Sequence, residues 1–480
     1  MPAAQPHPPT PPSDLPRTLG DLRASGWQSV PVADELRRNA SARIAAGQPL
    51  IEGVLGFEDT VVPQLENALM AGHDVILLGE RGQAKTRIIR SLVALLDEWL
   101  PVLAGSEIND DPTRPTSLYG RVKVAEDGDE AAVTWVHRSE RYGEKLATPD
   151  TSIADLIGEV DPIKIAEGRY LSDELALHYG LVPRVNRGIF AINELPDLSE
   201  RIQVGLLNVL EERDVQIRGH RIRLPIDVVL VATANPEDYT NRGRIITPLK
   251  DRFGAQIRTH YPPDAEVEAT IMRAEAELPT GGLPVTVPDY LQEVIAEISQ
   301  LARRSPHLNQ RSGVSVRLTI ANYETLVANA IRRALRNSEP VAVPRVSDLA
   351  ALVPSTQGKI EVEALEEGRE ADVVAQLVSA AVLSVFRRRV TLDDPSAVVG
   401  AFDSDTVVHA GDDLAASQYL SVLRDLPALE PPTRALAGAD AAESPALMAS
   451  ALEFLLEGLH LTKRLNKDAS GPRALYRSRK

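Results

Sequence analysis

The residues best suited to chemistry follow a short apolar run near position 75. Val75–Leu78 leads into Gly79-Glu80-Arg81-Gly82-Gln83-Ala84, then Lys85 and Thr86, then residues with the spacing of an amphipathic helix. This order is typical of a loop whose backbone N–H groups, with the N-terminus of the next helix, bind phosphate. There Lys85 would reach the β- and γ-phosphates of a nucleotide, and the Thr86 hydroxyl would bind Mg²⁺. The pattern predicts a site for ATP and Mg²⁺.

The loop departs from the usual phosphate-binding pattern at one position. Gly79 fits, but Ala84 stands where the pattern has a second glycine. Alanine disfavours a positive φ, although it is tolerated where the backbone is helical. On this motif alone, a glycine turn followed by an ordinary surface lysine remains the alternative interpretation.

Polar residues that could complete the site follow two later apolar runs. Asn193-Glu194 ends the run that begins at Gly188, and Asn235 ends the run that begins at Val228. In a parallel sheet such strand ends meet at one edge. Glu194 could polarise an attacking water, Asn193 could assist Mg²⁺ where an aspartate is usual, and Asn235 could hydrogen-bond the γ-phosphate or the water. Capped strand ends and an Asn-Pro turn are the alternatives.

Two arginines are candidates for contacting phosphate charge. Arg252, in Pro248-Leu-Lys-Asp-Arg-Phe253, could stabilise charge on a neighbouring subunit's nucleotide. Arg317, at the start of a helical pattern, could fold over the phosphates, although an arginine there is usually just solvated. A solvated basic loop is the alternative for Arg252, and its possible substitutes are Arg242, Arg244 and Lys250.

Apolar runs alternate with helical spacing over residues 46–262, which indicates an α/β core with a parallel sheet covered by helices. We expect helices at 61–70, 86–100 and 202–210, strands at 75–78, 188–192 and 228–233, and a hairpin of 215–218 and 221–224. One stretch is predicted as an insertion, the polar residues 105–150, with a hairpin of 121–124 and 132–136.

Outside this core the pattern is mostly helical. We expect residues 1–45 to form a Pro-rich leader, disordered over the first 16 residues, followed by an N-terminal helix. Residues 263–400 are expected to form a helical lid domain. Residues 401–480 are expected to be a helical extension, with a helix over 446–465 and a basic tail.

Composition limits the possible functions. The 480 residues carry a net charge of −16 and contain no cysteine, which excludes disulfides, thiolate catalysis and Cys-based zinc sites. The acidity makes nonspecific coating of nucleic acid a poor interpretation. No apolar run reaches the roughly 18 residues of a membrane span, and no signal-peptide pattern is present, so we expect a cytoplasmic protein.

The motifs in this order resemble an AAA+ ATPase core, most nearly the magnesium chelatase ATPase subunit and the MoxR-type ATPases. The narrower resemblance is carried by Asp155–Gly168, Gly180–Gly188 and Leu207–Gly219. It implies that residues 155–187 are an insertion before the strand that ends in Asn193-Glu194. It implies a Walker A loop at Gly79–Thr86, Walker B at Asn193-Glu194 and sensor 1 at Asn235. Arg252 would be the arginine finger and Arg317 sensor 2. Asn193 departs from the family's aspartate, which puts Mg²⁺ affinity and turnover in doubt.

The resemblance also implies assembly and partners. Such proteins form rings, usually hexamers, and commonly act on a separate protein with a von Willebrand A domain, remodelling it or a metal-insertion complex. The sequence itself has no Asp-x-Ser-x-Ser metal motif. The predicted hairpin tip (Arg218, Gly219, His220, Arg221) could touch a client, although a solvated turn is the simpler interpretation. A nucleotide-gated scaffold with little hydrolysis, a DNA-dependent helicase-like motor and a true chelatase subunit remain alternatives.

Overall fold

The computed structural model describes residues 9–166, 174–216, 223–235, 243–279, 282–310, 312–363, 368–392, 395–402, 406–438, 444–470 and 473–479. The chain divides into two compact units, Met1–His260 and Tyr261–Lys480. Across the described ranges, no helix combines the length and apolar character needed to cross a bilayer.

The first unit contains the site residues of the sheet edge. Its helices are α1 (Leu19–Ala24), α2 (Val32–Ala45), α3 (Val61–Ala71), α4 (Lys85–Ser91), α5 (Leu118–Asp127), α6 (Ile153–Leu156), α7 (Pro162–Ala166), α8 (Leu181–Arg184), α9 (Glu200–Glu211) and α10 (Thr247–Arg252). Its strands are β1 (Val75–Leu78), β2 (Trp99–Leu103), β3 (Val133–His137), β4 (Tyr142–Leu146), β5 (Gly158–Val160), β6 (Leu177–Tyr179), β7 (Gly188–Asn193), β8 (Asp214–Gln216), β9 (Arg223–Pro225), β10 (Val228–Ala234) and β11 (Ala255–Arg258).

The main sheet is parallel and is buried on both faces. Its strand order is β11-β1-β10-β7-β4, and each neighbouring pair is parallel. Ile76 and Leu230 pack into one apolar cluster, whereas Val75 and Val231 pack into another, because successive side chains of a strand point to opposite faces. Two covered faces require strands that are apolar throughout. The predicted fold class, a parallel sheet covered by helices and followed by a mostly helical region, is confirmed.

Two local predictions in this unit are wrong. The helix expected over 86–100 ends at Ser91, a 3₁₀ turn follows, and β2 begins at Trp99. The hairpin expected at 121–124 and 132–136 is absent, because 121–124 lie inside α5. The Ser117 hydroxyl starts that helix by accepting a hydrogen bond from the Gly120 N–H at 2.9 Å. The strand β3 pairs instead with β2, antiparallel.

Other expectations for this unit meet the structure in part. The strands β8 and β9 pair antiparallel, as predicted, whereas their connection, residues 217–222, lies outside the described residues. The polar stretch 105–150 supplies β4, an edge strand of the main sheet. Residues 1–8 of the leader also lie outside the description, while the Pro16 carbonyl accepts a hydrogen bond from Trp135 Nε1 at 2.8 Å.

The second unit is mostly helical. Its helices are α11 (Ala265–Glu275), α12 (Asp289–Ala302), α13 (Arg317–Arg336), α14 (Val353–Gln357), α15 (Glu370–Arg389), α16 (Pro395–Gly400), α17 (Ala416–Asp425), α18 (Glu430–Ala437) and α19 (Pro445–Leu461). Its strands are β12 (Val407–Gly411), β13 (Leu465–Ser470) and β14 (Arg473–Ser478). These strands form an antiparallel sheet in the order β12-β14-β13. The extension over 401–480 is mostly helical, as expected, but it also contains these three strands, and most of the basic tail is a strand pair.

One apolar cluster joins the parts of the second unit. It includes Met272 of α11, Leu452 of α19 and Tyr476 of β14. Beside it, buried Arg333 of α13 is paired with Asp348 and Glu339, each at 3.1 Å. Burial of these charges is tolerated because each has an opposite partner and hydrogen bonds.

Candidate nucleotide site

The loop between β1 and α4 has two backbone positions with positive φ. Gly82 has φ 76°, and Ala84 has φ 54° and ψ 13°. The right-handed backbone that would suit an alanine at 84 is therefore not found. Ala84 adopts the left-handed conformation that a glycine adopts without strain. A Cβ at Gly79 would collide with the Thr259 hydroxyl and the Gln83 amide oxygen, so only glycine fits there.

The side chain of Gln83 holds the loop together. Its Oε1 accepts hydrogen bonds from the Glu80 N–H at 3.1 Å and from the Thr259 hydroxyl at 2.8 Å. Thr259 follows β11, so the loop is fixed to the neighbouring strand of the sheet. A cavity of about 400 Å³ opens beside it, lined by Leu78, Gly79, Glu80, Gln83, Lys250, Arg258 and Thr259.

Lys85 is the first residue of α4, and its side chain reaches back to the loop. Its Nζ donates hydrogen bonds to the carbonyl oxygens of Gly79 and Glu80 and to Asn235 Oδ1, the last at 2.9 Å. Asn235 follows β10 and is buried. The structure thus brings the predicted lysine into contact with the residue that ends the adjacent strand.

Thr86 and the end of β7 form the second contact of the site. The Thr86 hydroxyl donates to Asn193 Oδ1 at 3.4 Å, and the Thr233 hydroxyl donates to the same oxygen at 3.2 Å. Thr233 in turn accepts a hydrogen bond from the Glu194 N–H at 3.0 Å. Glu194 has φ 56°, a left-handed conformation that is uncommon for a glutamate. Strain of this kind concentrates at functional sites.

The structure adds Glu144 of β4, which the sequence did not reveal. Its Oε1 accepts a hydrogen bond from Asn193 Nδ2 at 2.6 Å, and its Oε2 accepts one from Arg90 Nε at 2.7 Å and one from the Tyr142 hydroxyl at 2.8 Å. Burial alone would raise the pKa of the Glu144 carboxyl, but the hydrogen bonds from Arg90, Tyr142 and Asn193 and the Arg90 charge lower it below its ordinary value. Glu144 is therefore ionised at neutral pH.

The residues present fit a magnesium nucleotide. The three partners of the Lys85 ammonium described above are uncharged oxygens, and a phosphate could replace or join them. The Thr86 hydroxyl and the Asn193 amide oxygen are hard donors of the kind that Mg²⁺ takes. Among the described residues, no cluster of three or more His, Asp or Glu side chains could hold a metal by itself.

Arg252 and its possible substitutes come after β10 in the chain. Arg252 Nε donates to Glu211 Oε2 at 2.8 Å, so within one subunit α10 is tied to the end of α9. Arg244 is exposed, 3.7 Å from Glu200, whereas Lys250 lines the cavity beside the loop. Arg317 begins α13 in the second unit. Arg242 and the hairpin-tip residues Arg218, Gly219, His220 and Arg221 lie outside the described residues.

Comparison with known proteins agrees with this arrangement. Residues 74–253 match the sequence profile of the AAA domain of the dynein-related subfamily. The chain contains an AAA domain. This domain includes β1, the loop Gly79–Thr86 and the ends of β7 and β10, and it reaches Arg252. The predicted resemblance to AAA+ ATPases is confirmed.

The similar proteins include subunits of magnesium chelatase. Magnesium-chelatase subunit ChlI of Synechocystis sp. is 30% identical over 206 residues, which cover 42% of this chain and 54% of the relative. The magnesium-chelatase 38 kDa subunit of Cereibacter sphaeroides is 30% identical over 210 residues, which cover 41% and 54%. The chain spans about half the length of these relatives.

Among solved structures, a cryo-EM-based structure of the complex between subunits BchI and BchD of magnesium chelatase is similar at 22% identity and a TM-score of 0.35. The similarity covers 66% of this chain and 97% of that one. It is weak, and the fold is established by the strand order given above.

Proposed function

We propose that this chain binds ATP with Mg²⁺ at the loop Gly79–Thr86 and hydrolyses it. The observation that carries the proposal is the 2.9 Å contact between Lys85 Nζ and Asn235 Oδ1. It supports the proposal because Lys85 lies beside a polar side chain from the next strand, and a γ-phosphate bound by Lys85 would meet both. Phosphoryl transfer depends on positioning and charge stabilisation of this kind.

Each residue of the sheet edge has a role in the proposal. Lys85 binds the β- and γ-phosphates, and the backbone N–H groups of the loop 79–84 bind phosphate oxygens. Thr86 and Asn193 hold Mg²⁺, which when bound neutralises phosphate charge. Glu194 orients and deprotonates the attacking water, and Asn235 senses the γ-phosphate.

We further propose that the chain assembles as a homo-oligomeric ring, a hexamer, with ATP between subunits. Arg252 would then stabilise charge on the neighbour's nucleotide, and a head-to-tail interface that closes on itself gives each site one such arginine. Arg252 would have to exchange Glu211 for phosphate on assembly. Arg317 would contact the γ-phosphate of its own subunit.

Hydrolysis would be coupled to remodelling of a partner protein or a metal-insertion complex. Contacts of Asn235 and Arg317 with the γ-phosphate exist only before hydrolysis, so the two nucleotide states favour different conformations. The similarity to magnesium-chelatase subunits supports a metal-insertion complex as one setting. A separate protein with a von Willebrand A domain is the proposed partner.

A nucleotide-gated scaffold with little hydrolysis is the second candidate, and Asn193 is the observation that favours it. A neutral amide attracts Mg²⁺ less strongly than the carboxylate usual at this position. Single-turnover hydrolysis with enzyme in excess separates the two candidates. The scaffold would retain bound ATP over many minutes, whereas the slow ATPase would convert it in a single exponential.

The experiment that tests the proposed function compares ATP binding and hydrolysis of the parent with Lys85→Ala and Glu194→Gln. Lys85→Ala should lower ATP affinity by at least about tenfold, because it removes the positive charge that would contact the phosphates. Glu194→Gln should bind ATP normally but hydrolyse it at least about a hundredfold more slowly. Lys359→Ala, which changes a lysine of the second unit, is the control. The proposal fails if both site variants hydrolyse ATP at the parental rate.

A further inference from the structure

We propose that Glu144 and Asn193 together replace the single aspartate of a typical magnesium site. Asn193 supplies the neutral oxygen that faces the metal, and Glu144 fixes the orientation of that amide and supplies the negative charge. Glu144 is thus a positioning residue on a different strand, 49 positions earlier in the chain. The inference rests on the proposed function, since it concerns the same Mg²⁺.

The hydrogen-bond network fixes the orientation of the Asn193 amide. The Glu194 N–H can only donate, so Thr233 Oγ1 accepts from it and must direct its own proton to Asn193 Oδ1. On the other side, the ionised Glu144 carboxylate can only accept hydrogen bonds, so Asn193 Nδ2 donates one to it. The amide oxygen is therefore turned toward Thr86, and the amide nitrogen is turned away from it.

Glu144 is itself rigidly held. Arg90 binds both of its oxygens, at 2.7 and 3.0 Å, and the Tyr142 hydroxyl adds a third hydrogen bond. Arg90 lies one helical turn after Thr86 on α4, so the helix that carries one proposed metal ligand also anchors the carboxylate that orients the other. Carboxylates that orient a ligand from behind are a recurrent feature of metal sites.

This arrangement makes the two positions interdependent. An aspartate at 193 would carry its own charge and could serve the metal without help. Beside Glu144, however, it would place two acceptors 2.6 Å apart with no proton between them. A glutamine at 144 would supply the missing donor. Combining Glu144→Gln with Asn193→Asp therefore keeps one hydrogen bond and one negative charge, as the natural pair does.

The test measures the Mg²⁺ gain, defined as the ATP dissociation constant in EDTA divided by that in excess Mg²⁺, by isothermal calorimetry. Four proteins are compared: the parent, Glu144→Gln, Asn193→Asp and the double variant. Glu144→Gln should lower the Mg²⁺ gain about tenfold in the parent background, as expected for loss of an orienting carboxylate. In the Asn193→Asp background the same change should alter the gain by less than about threefold. Affinity in EDTA should stay at the parental value throughout, which also shows that the loop is folded.

Glu52→Gln is the matched control, because it makes the same carboxylate-to-amide change at an exposed glutamate that pairs with Arg43 at 3.8 Å and is not part of the proposed network. It should keep the Mg²⁺ gain within about threefold of the parent. The inference is overturned if Glu144→Gln reduces the gain equally in both backgrounds, leaves it unchanged, or weakens binding in EDTA to the same extent as in Mg²⁺. If the parent binds no ATP at all, the proposed function fails and this inference fails with it. A parent with a normal Mg²⁺ gain that is insensitive to Glu144→Gln refutes the inference alone.

Discussion

Among single residues, the two ends of the phosphate-binding loop have opposite requirements. At Gly79 the limit is space, because a Cβ would collide with Thr259 and Gln83. At Ala84 the limit is conformation, because φ is positive and a Cβ is already present. The same pair of residue types, glycine and alanine, is therefore expected to give different results at the two positions.

Exchanging these residues gives a paired prediction. Ala84→Gly should leave the free energy of unfolding unchanged or raise it by up to about 1.6 kcal/mol. It relieves a left-handed alanine, worth roughly 1–2 kcal/mol, but gives the unfolded chain back about 0.4–1 kcal/mol of entropy. Gly79→Ala should lower stability by about 1–3 kcal/mol through overpacking and weaken ATP binding. Denaturant unfolding and calorimetry on both variants check this, and equal losses for the two would contradict it.

Much of the site was predictable from residue types that follow apolar runs. Lys85, Thr86, Asn193 and Asn235 were all singled out in this way, and the structure joins them in two pairs. Their roles in catalysis remain predictions. Glu144 was not predictable, because β4 is a half-polar edge strand in a stretch that shows no apolar run, and its contact with Asn193 depends on strand pairing.

Among the helices and strands, the errors share one cause. Buried central strands such as β7 and β10 are apolar throughout and were predicted, as was the local pair of β8 and β9. The edge strands β4 and β11 of the main sheet and the strand β2 were missed. Pairing of β2 with β3 sets Pro101 opposite Trp135, 34 positions apart, which no local pattern reports. The sequence carried a signal for one of the errors, Ser117, a residue type that favours the start of a helix. It also has the dipeptide Gly471-Pro472 in the basic tail, a combination typical of turns.

The pairing of α10 with α9 leads to a prediction about assembly. If Arg252 acts on a neighbour's nucleotide, then Arg252→Ala and Lys85→Ala should each be inactive alone, whereas an equal mixture should recover activity. In a mixed ring roughly a quarter of interfaces would combine an intact loop with an intact arginine. ATPase assays on the mixture test this.

The control for this mixing experiment is Arg244→Ala, which removes an exposed arginine that lies 3.7 Å from Glu200. It should keep near-parental activity by itself. A mixture of Arg252→Ala and Lys85→Ala that stays inactive, although the two variants co-assemble, would show that Arg252 does not act between subunits.

In the molecule as a whole, the described apolar clusters belong to one unit or the other. The clusters around the parallel sheet draw on residues before 261, and the cluster with Met272, Leu452 and Tyr476 draws on residues after it. The loop residues and the strand ends of the site all belong to the first unit. Arg317 is the proposed site residue that belongs to the second.

This division predicts how a shortened protein behaves. Residues 1–260 alone should fold and bind ADP with an affinity near that of the full chain in EDTA. They should lose the preference for ATP over ADP by about tenfold, because the proposed Arg317 contact with the γ-phosphate is missing. Calorimetry with both nucleotides measures this. Arg317→Ala in the full chain should reproduce the loss, and a full-length variant that keeps the preference would remove Arg317 from the site.

The separate interiors of the two units also bear on how such a protein can change over time. A substitution that loosens the packing around Leu452 leaves the apolar layers on either side of Ile76 intact, so each half can accumulate mutations on its own. Recombination near residue 260 would join an unaltered nucleotide-binding half to a different second half without opening either interior. A new binding partner could thus be acquired in one step, while the residues of the loop Gly79–Thr86 are inherited unchanged.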